Sequence, residues 1–193
     1  MTRIAAVLGP IPIPVDRWES EAADRLRGVE ELVYRSNLLG ADRAIANQGG
    51  GNTSMKGDVV DHAGRETRVL WVKGSGTDLA TITALGFAAL RLEDILRPRV
   101  RDRMGDAEMV DYLRRCSLSP EQPRPSIETL LHAFIRAAHV DHTHPDAVIA
   151  LTATPAGRRL AEEANATASG LRSTSRTTPS ASSSSVPRST GSA

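Results

Sequence analysis

The chain is short of the residues that mark several common functions. Cysteine occurs once, as Cys116. One thiol forms no internal disulfide and no zinc knuckle, so a reducing, cytoplasmic setting is expected. Cys116 itself reads as a small apolar residue. Aromatic residues make up 3% of the chain, too few for a base-stacking surface. The net charge is +1, which leaves no global field to recruit nucleic acid or a membrane. No stretch approaches the roughly 20 apolar residues of a membrane span. The opening "MTRIAAVLGPIPIPVDRWESE" is interrupted by proline and continues acidic, unlike a cleaved signal peptide. Lysine is limited to Lys56 and Lys73 against many arginines, the mark of a GC-rich gene.

A different shortage divides the chain. From Ala164 to Ala193 there is no acidic residue, and Ser and Thr dominate. That segment has little to bury and is expected to be disordered. It reads as an out-of-frame or truncated end, which makes 1–163 the one folded domain. Within it, helical and strand patterns alternate, an α/β order. "ESEAADRLRGVEELVYRSNLLG" has the spacing of one helix closing at Gly40. "RVLWVKGSG" is a buried-type strand entering a glycine loop. A strand is expected around Leu90 to Ile95, and a helix over "GDAEMVDYLRRCSL". "RPSIETLLHAFIRAA" predicts a helix opening at Pro125 and Ser126, with Ile127, Leu131, Phe134 and Ile135 on one side. "HVDHTH" has the alternation of a strand end, and Pro145 suits the start of a further helix.

Four stretches carry polar chemistry. In "GGGNTS", Gly49–Ser54, three glycines free the backbone for close approach, and Asn52, Thr53 and Ser54 offer neutral hydrogen-bonding groups; a tight turn is the plainer reading. "KGSGTD", Lys73–Asp78, is a second loop at a strand end, where α/β folds bind ligands. Neither has Walker or dinucleotide spacing. Glu128 falls in the first turn of its helix, where an acid also complements the helix dipole, and His132 lies one turn on, read as a partly buried, hydrogen-bonded histidine. His142 and His144 are two apart, so a strand presents both to one side and His139 to the other. Paired imidazoles are a metal half-site, zinc being the usual divalent choice, with Asp141 and Asp146 placed to orient a ring. A surface pair of histidines is the alternative.

In this order, "NQGGGNTSMK", "LWVKGSGTDLATI" and "PSIETLLHAFIRAAHVDHTHPDAVIAL" resemble the class II aldolase/adducin family, most of all the aldolase half of bifunctional rhamnulose-1-phosphate aldolase/alcohol dehydrogenases. The resemblance runs from about Arg17 to Glu163. It implies a three-layer α/β/α domain with a central, mainly antiparallel sheet, its C-terminal part missing, and a homotetramer in the intact family. It implies a zinc-dependent lyase that cleaves a ketose 1-phosphate to dihydroxyacetone phosphate and an aldehyde. By the same resemblance His142 and His144 hold zinc and Glu128 is the acid/base. Asn52, Thr53, Ser54, Gly74, Ser75, Gly76 and Ser126 line the phosphate and substrate side, and Lys73 has no assigned role. Desolvation is expected to raise the Glu128 pKa. The family's third zinc histidine lies downstream of the pair, and no histidine follows His144 here. Weak zinc binding and impaired turnover are therefore expected. The alternatives are a non-catalytic adducin-like interaction module and a pentulose-phosphate 4-epimerase type of enzyme.

Overall fold

The computed structural model describes residues 15–174, with side chains to residue 165. The chain divides into two units, one up to Val148 and one from Ile149. In the first unit a four-stranded sheet has the order β3-β2-β1-β4. β1 (Asn52–Val60) and β2 (Glu66–Lys73) form a hairpin, with Ser54 opposite Val72. β3 (Phe87–Arg91) lies beyond β2, with Leu70 opposite Leu90. β4 (His139–His142) lies beyond β1, with Asn52 opposite His142. Every pairing is antiparallel, as expected.

Helices cover both faces. Residues of β1 alternate between them, as the pleat requires. On one face, α2 (Val29–Ala41) packs Leu32, with Val29 and Val33, over Met55, Phe87, Ile82 and Trp71. On the other, α3 (Leu92–Leu96), α4 (Asp106–Cys116) and α5 (Thr129–Phe134) enclose Leu70, Val72, Ala88 and Leu90. The latter is the larger core, and Cys116 is one of its members. Burial pushes the Cys116 thiol up to about 11, so it is inert packing, as read from the sequence.

Several local expectations change. The first helical stretch is two helices, α1 (Ser20–Ala23) and α2, because Gly28 sits at φ +59° and breaks the run. Gly40 does not terminate α2. It is buried within it, where an added Cβ would lie 2.1 Å from the Ala80 backbone nitrogen. Glycine there lets the 79–80 loop close on the helix. The strand expected at Leu90–Ile95 is β3 moved upstream, followed at once by α3. Helix α5 is shorter than expected, since Pro125 is drawn into a β-bridge with Gly74. At its other end the Lys56 ammonium donates to the carbonyls of His132, Ile135 and Ala137, at 3.0, 2.6 and 2.8 Å. The apolar residues grouped on one side of this segment are split, for Phe134 packs against the larger core. Ile127, Leu131 and Ile135 are exposed, while Thr129, His132 and Ala133 face inward. The helix has turned its small and polar side to the sheet, toward Asn52 and Ser54.

Helix α6 (Asp146–Thr152) follows Pro145 as expected. In the second unit, α7 runs Gly157–Thr174. The helix continues past Ala164, where disorder was expected, as far as Thr174. Ala164, Ala166 and Ala168 are strong helix formers, and extending a helix already begun costs far less than nucleating one. The remainder of that expectation lies outside the described residues. No helix among them is long and apolar enough to cross a membrane.

Candidate functional site

The site forms where β1 and β4 begin and end beside the start of α5. Register places Asn52 directly across from His142. Asn52 is almost fully buried, and its amide donates to the Ser126 hydroxyl, itself buried. Glu128 is two residues on, at the N-cap of α5 and half-buried. Its carboxyl has a pKa below the usual value. Desolvation pushes it up, but hydrogen bonds from its own N–H, from Ser126 and from Asn52, together with the charge of His142, outweigh burial. The expected upward shift is thus reversed, and Glu128 is a carboxylate at neutral pH.

The His142 and His144 rings lie 4.8 Å apart, edge to face. They meet by a different route from the one expected. β4 ends at His142, so His144 is not placed by strand alternation. Its N–H donates to Ile45 O at 3.0 Å, which bends the chain back over the glycine loop. Gly50 gives it room: an added Cβ there would stand 2.8 Å from His144 Nδ1 and 1.8 Å from Asn47 Oδ1. Gly49 and Gly51, at φ +72° and +75°, supply the left-handed turns around it.

The two glycine loops are tied together, as their family resemblance suggests. Asp78 accepts from Gly49 N–H at 2.8 Å, and Arg43 Nη1 donates to its Oδ2 at 2.9 Å and to its Oδ1 at 3.1 Å. These bonds hold its carboxyl at about 2. Lys73, 4% exposed, donates to Gly49 O at 3.4 Å. Burial lowers its pKa, against the pull of Glu128 and Asp78. Several N–H groups are already committed: Gly74 donates to Gly86 O and Ser75 to Arg124 O. Gly76 is exposed at φ +85° with open space beside it.

Two expected substrate-side residues are removed from the set. Thr53 and Ser54 are fully buried strand residues. Thr53 bonds the Ser36 hydroxyl at 2.6 Å, and Ser54 bonds His132 Nδ1 at 2.7 Å. They fall inside because β1 begins at Asn52, earlier than the turn-forming composition indicates. His132 is fully buried, rather than partly, and its pKa falls to about 4, chiefly through desolvation and then the charge of His142. Among the described residues, three buried side-chain atoms have no hydrogen-bond partner: Asn52 Oδ1, His132 Nε2 and His142 Nδ1. Each leaves an uncompensated cost of about 1–3 kcal/mol, and all three belong to this cluster.

A divalent metal meets half of its needs here. The two imidazoles converge and His142 Nδ1 is unpartnered, which suits a nitrogen ligand. Among the described residues, no group of three His, Cys, Asp or Glu side chains forms a complete cage. Sequence reasoning missed two ties: Arg35 of α2, whose Nε donates to Asp141 Oδ1 at 3.0 Å, and the Asp78 bonds to Gly49 and Arg43. The first had no local signal, because it is a cation on a distant helix; Asp78 stood at the end of the quoted loop motif.

Comparison with known proteins agrees with the fold. The chain is 59% identical over 148 residues to a Bacillus subtilis (strain 168) protein named uncharacterized oxidoreductase YuxG, covering 76% of this chain and 21% of that protein. It therefore spans about a fifth of that relative. The N-terminal class II aldolase domain of a conserved protein from Thermoplasma acidophilum superposes with a TM-score of 0.67 at 41% identity, over 74% of this chain and 66% of that one. Residues 30–184 match the family described as class II aldolase and adducin N-terminal domain. That family match covers more than half of the chain, and the chain belongs to the class II aldolase and adducin family.

Proposed function

We propose that this domain acts as a lyase, cleaving a ketose 1-phosphate such as rhamnulose 1-phosphate to dihydroxyacetone phosphate and an aldehyde. One observation carries the reading. Asn52, Ser126, Glu128 and His142 converge, and within that cluster buried Asn52 Oδ1 and His142 Nδ1 have no protein partner. Folding alone does not favour such a cluster; a polyhydroxylated ligand and a cation supply the missing partners.

His142 and His144 would hold the metal, taken as zinc. When bound, it supplies Lewis acidity to the substrate's carbonyl oxygen. The chain's own groups do the rest. Glu128, ionised at neutral pH, takes the proton of the C4 hydroxyl as the C3–C4 bond breaks. The bonding pair passes to C3 and toward the C2 carbonyl, the aldehyde departs, and the carboxyl returns the proton to C3. Asn52 and Ser126 hold the carboxylate and the hydroxyls in line. Gly74, Ser75 and Gly76 are assigned to the phosphate, with open Gly76 as the point of approach. The Bacillus relative is named an oxidoreductase and this chain covers 21% of it, which accords with an aldolase domain within a bifunctional protein. A cytoplasmic homotetramer belongs to the same reading.

The test is dihydroxyacetone phosphate release from rhamnulose 1-phosphate by the full chain with zinc, and its loss in Glu128→Gln. Slow release is expected from a two-histidine ligand set, and zinc binding with no release above the Glu128→Gln background rejects the aldolase reading. A second reading, a non-catalytic interaction module, is favoured by the exposed Ile127 and Leu131 and by the incomplete ligand set. It expects neither zinc binding nor release.

A further inference from the structure

We propose that Arg35 is a positioning residue for the histidine pair: its guanidinium sets the register of β4 on β1, and with it the side of the sheet on which His142 stands. β4 has four residues and, among the described residues, lies at the sheet edge and pairs only with β1. Backbone bonds alone specify register weakly in so short a strand. A slip of one residue would carry His142 to the α2 face and put Asp141 or Thr143 in its place.

Arg35 opposes that slip. It projects from α2, its side chain only 13% exposed. Nε donates to Asp141 Oδ1 at 3.0 Å, Nη1 bonds His139 Nδ1, and Nη2 donates to the Ser54 carbonyl of β1 at 2.8 Å. His139 and Asp141 are alternate residues, both on the face away from His142. One planar fork thus grips two same-face residues of β4 and the backbone of its partner strand β1. A slipped strand would present Val140 and His142 to that fork instead and leave a nearly buried cation unpaired. Glu31 closes the other side of His139, with Oε1 4.0 Å from Nε2. A lysine cannot reproduce the three-point planar contact.

The proposal rests on the reading of His142 and His144 as metal ligands, so the test separates the two. The full chain is titrated with cobalt(II), read by its visible ligand-field spectrum. The Asn52–His142 cross-strand contact is followed by NMR without metal. Arg35→Met is expected to lose the contact, weaken cobalt binding by about tenfold or more and change the band shape. Arg35→Lys should recover only part. Asp141→Asn keeps the arginine and removes one strong acceptor; it should fall between wild type and Arg35→Met, and it decides the matter if Arg35→Met does not fold. An unchanged spectrum, affinity and cross-strand contact in the folded variants overturns the proposal. A wild-type chain that binds no cobalt defeats the metal reading, while the cross-strand contact still decides the role of Arg35.

Discussion

On the α2 face of the β1–β4 pair, Thr53 bonds Ser36, Ser36 also donates to Leu32 O at 2.5 Å, and Arg35 satisfies Asp141, His139 and the Ser54 carbonyl. On the α5 face of the same two strands, Asn52, His132 and His142 each retain an unpartnered buried atom. The strands are common to both, so the contrast comes from what each helix brings. α2 brings hydroxyl and guanidinium groups matched to the strands. α5 brings Ser126, Glu128 and His132, which pair only in part. A polar group fully paired inside the protein serves the fold; one left short of partners is poised for something outside it. Changes on the two faces should therefore fail differently.

The largest effect should come from the α5 face. Glu128→Gln keeps the size of the side chain and removes the base. Dihydroxyacetone phosphate release should fall about 100- to 10,000-fold, with thermal unfolding little changed. An equal loss of stability and activity would erase the contrast between the faces. Next, Gly50→Ala should push His144 away, because the added Cβ has 2.8 Å to the ring and 1.8 Å to Asn47. Zinc titration should show a loss on the order of tenfold or more.

Smaller effects belong to stability. Thr53→Val removes one buried hydrogen bond from the α2 face. Chemical denaturation should report a loss of about 1 kcal/mol, with zinc affinity unaltered. A fall in zinc affinity there would mean that the faces are not separable. A last effect concerns pH. His132 titrates near 4 in the folded chain against an ordinary 6.5, so the unfolded state takes up a proton first as pH falls. The stability of the neutral form is full above 6.5 and declines as pH drops from 6.5 toward 4. His132→Gln should flatten denaturation midpoints across that window. An unchanged slope would show that burial of this ring does not govern acid sensitivity.

Much of the site was legible because its parts are local in sequence. The glycine loops need positive φ at Gly49, Gly51 and Gly76, and no neighbour decides that. The spacing of Ser126, Glu128 and His132 survives in the structure, although the helix bearing them starts later. Thr53 and Ser54 were misread because composition marks turn formers without saying where a strand begins. The exposure of Ile127, Leu131 and Ile135 was not legible for a related reason. Periodicity gives a stripe, but which side is buried depends on what the sheet presents, and here it presents Asn52 and Ser54.

By itself the sequence determined an α/β order, an inert cysteine, two glycine loops and a Glu–His constellation, all consequences of contacts within a few residues or of composition. Only the tertiary structure decided that Asn52 faces His142, that Glu128 is pulled below rather than above its usual pKa, and that Arg35 grips β4. Those depend on pairs distant along the chain, such as Arg35 with Asp141, separated by 106 positions. Such pairs leave no periodic trace, because the free energy that joins them is gained only once the sheet has set their distance.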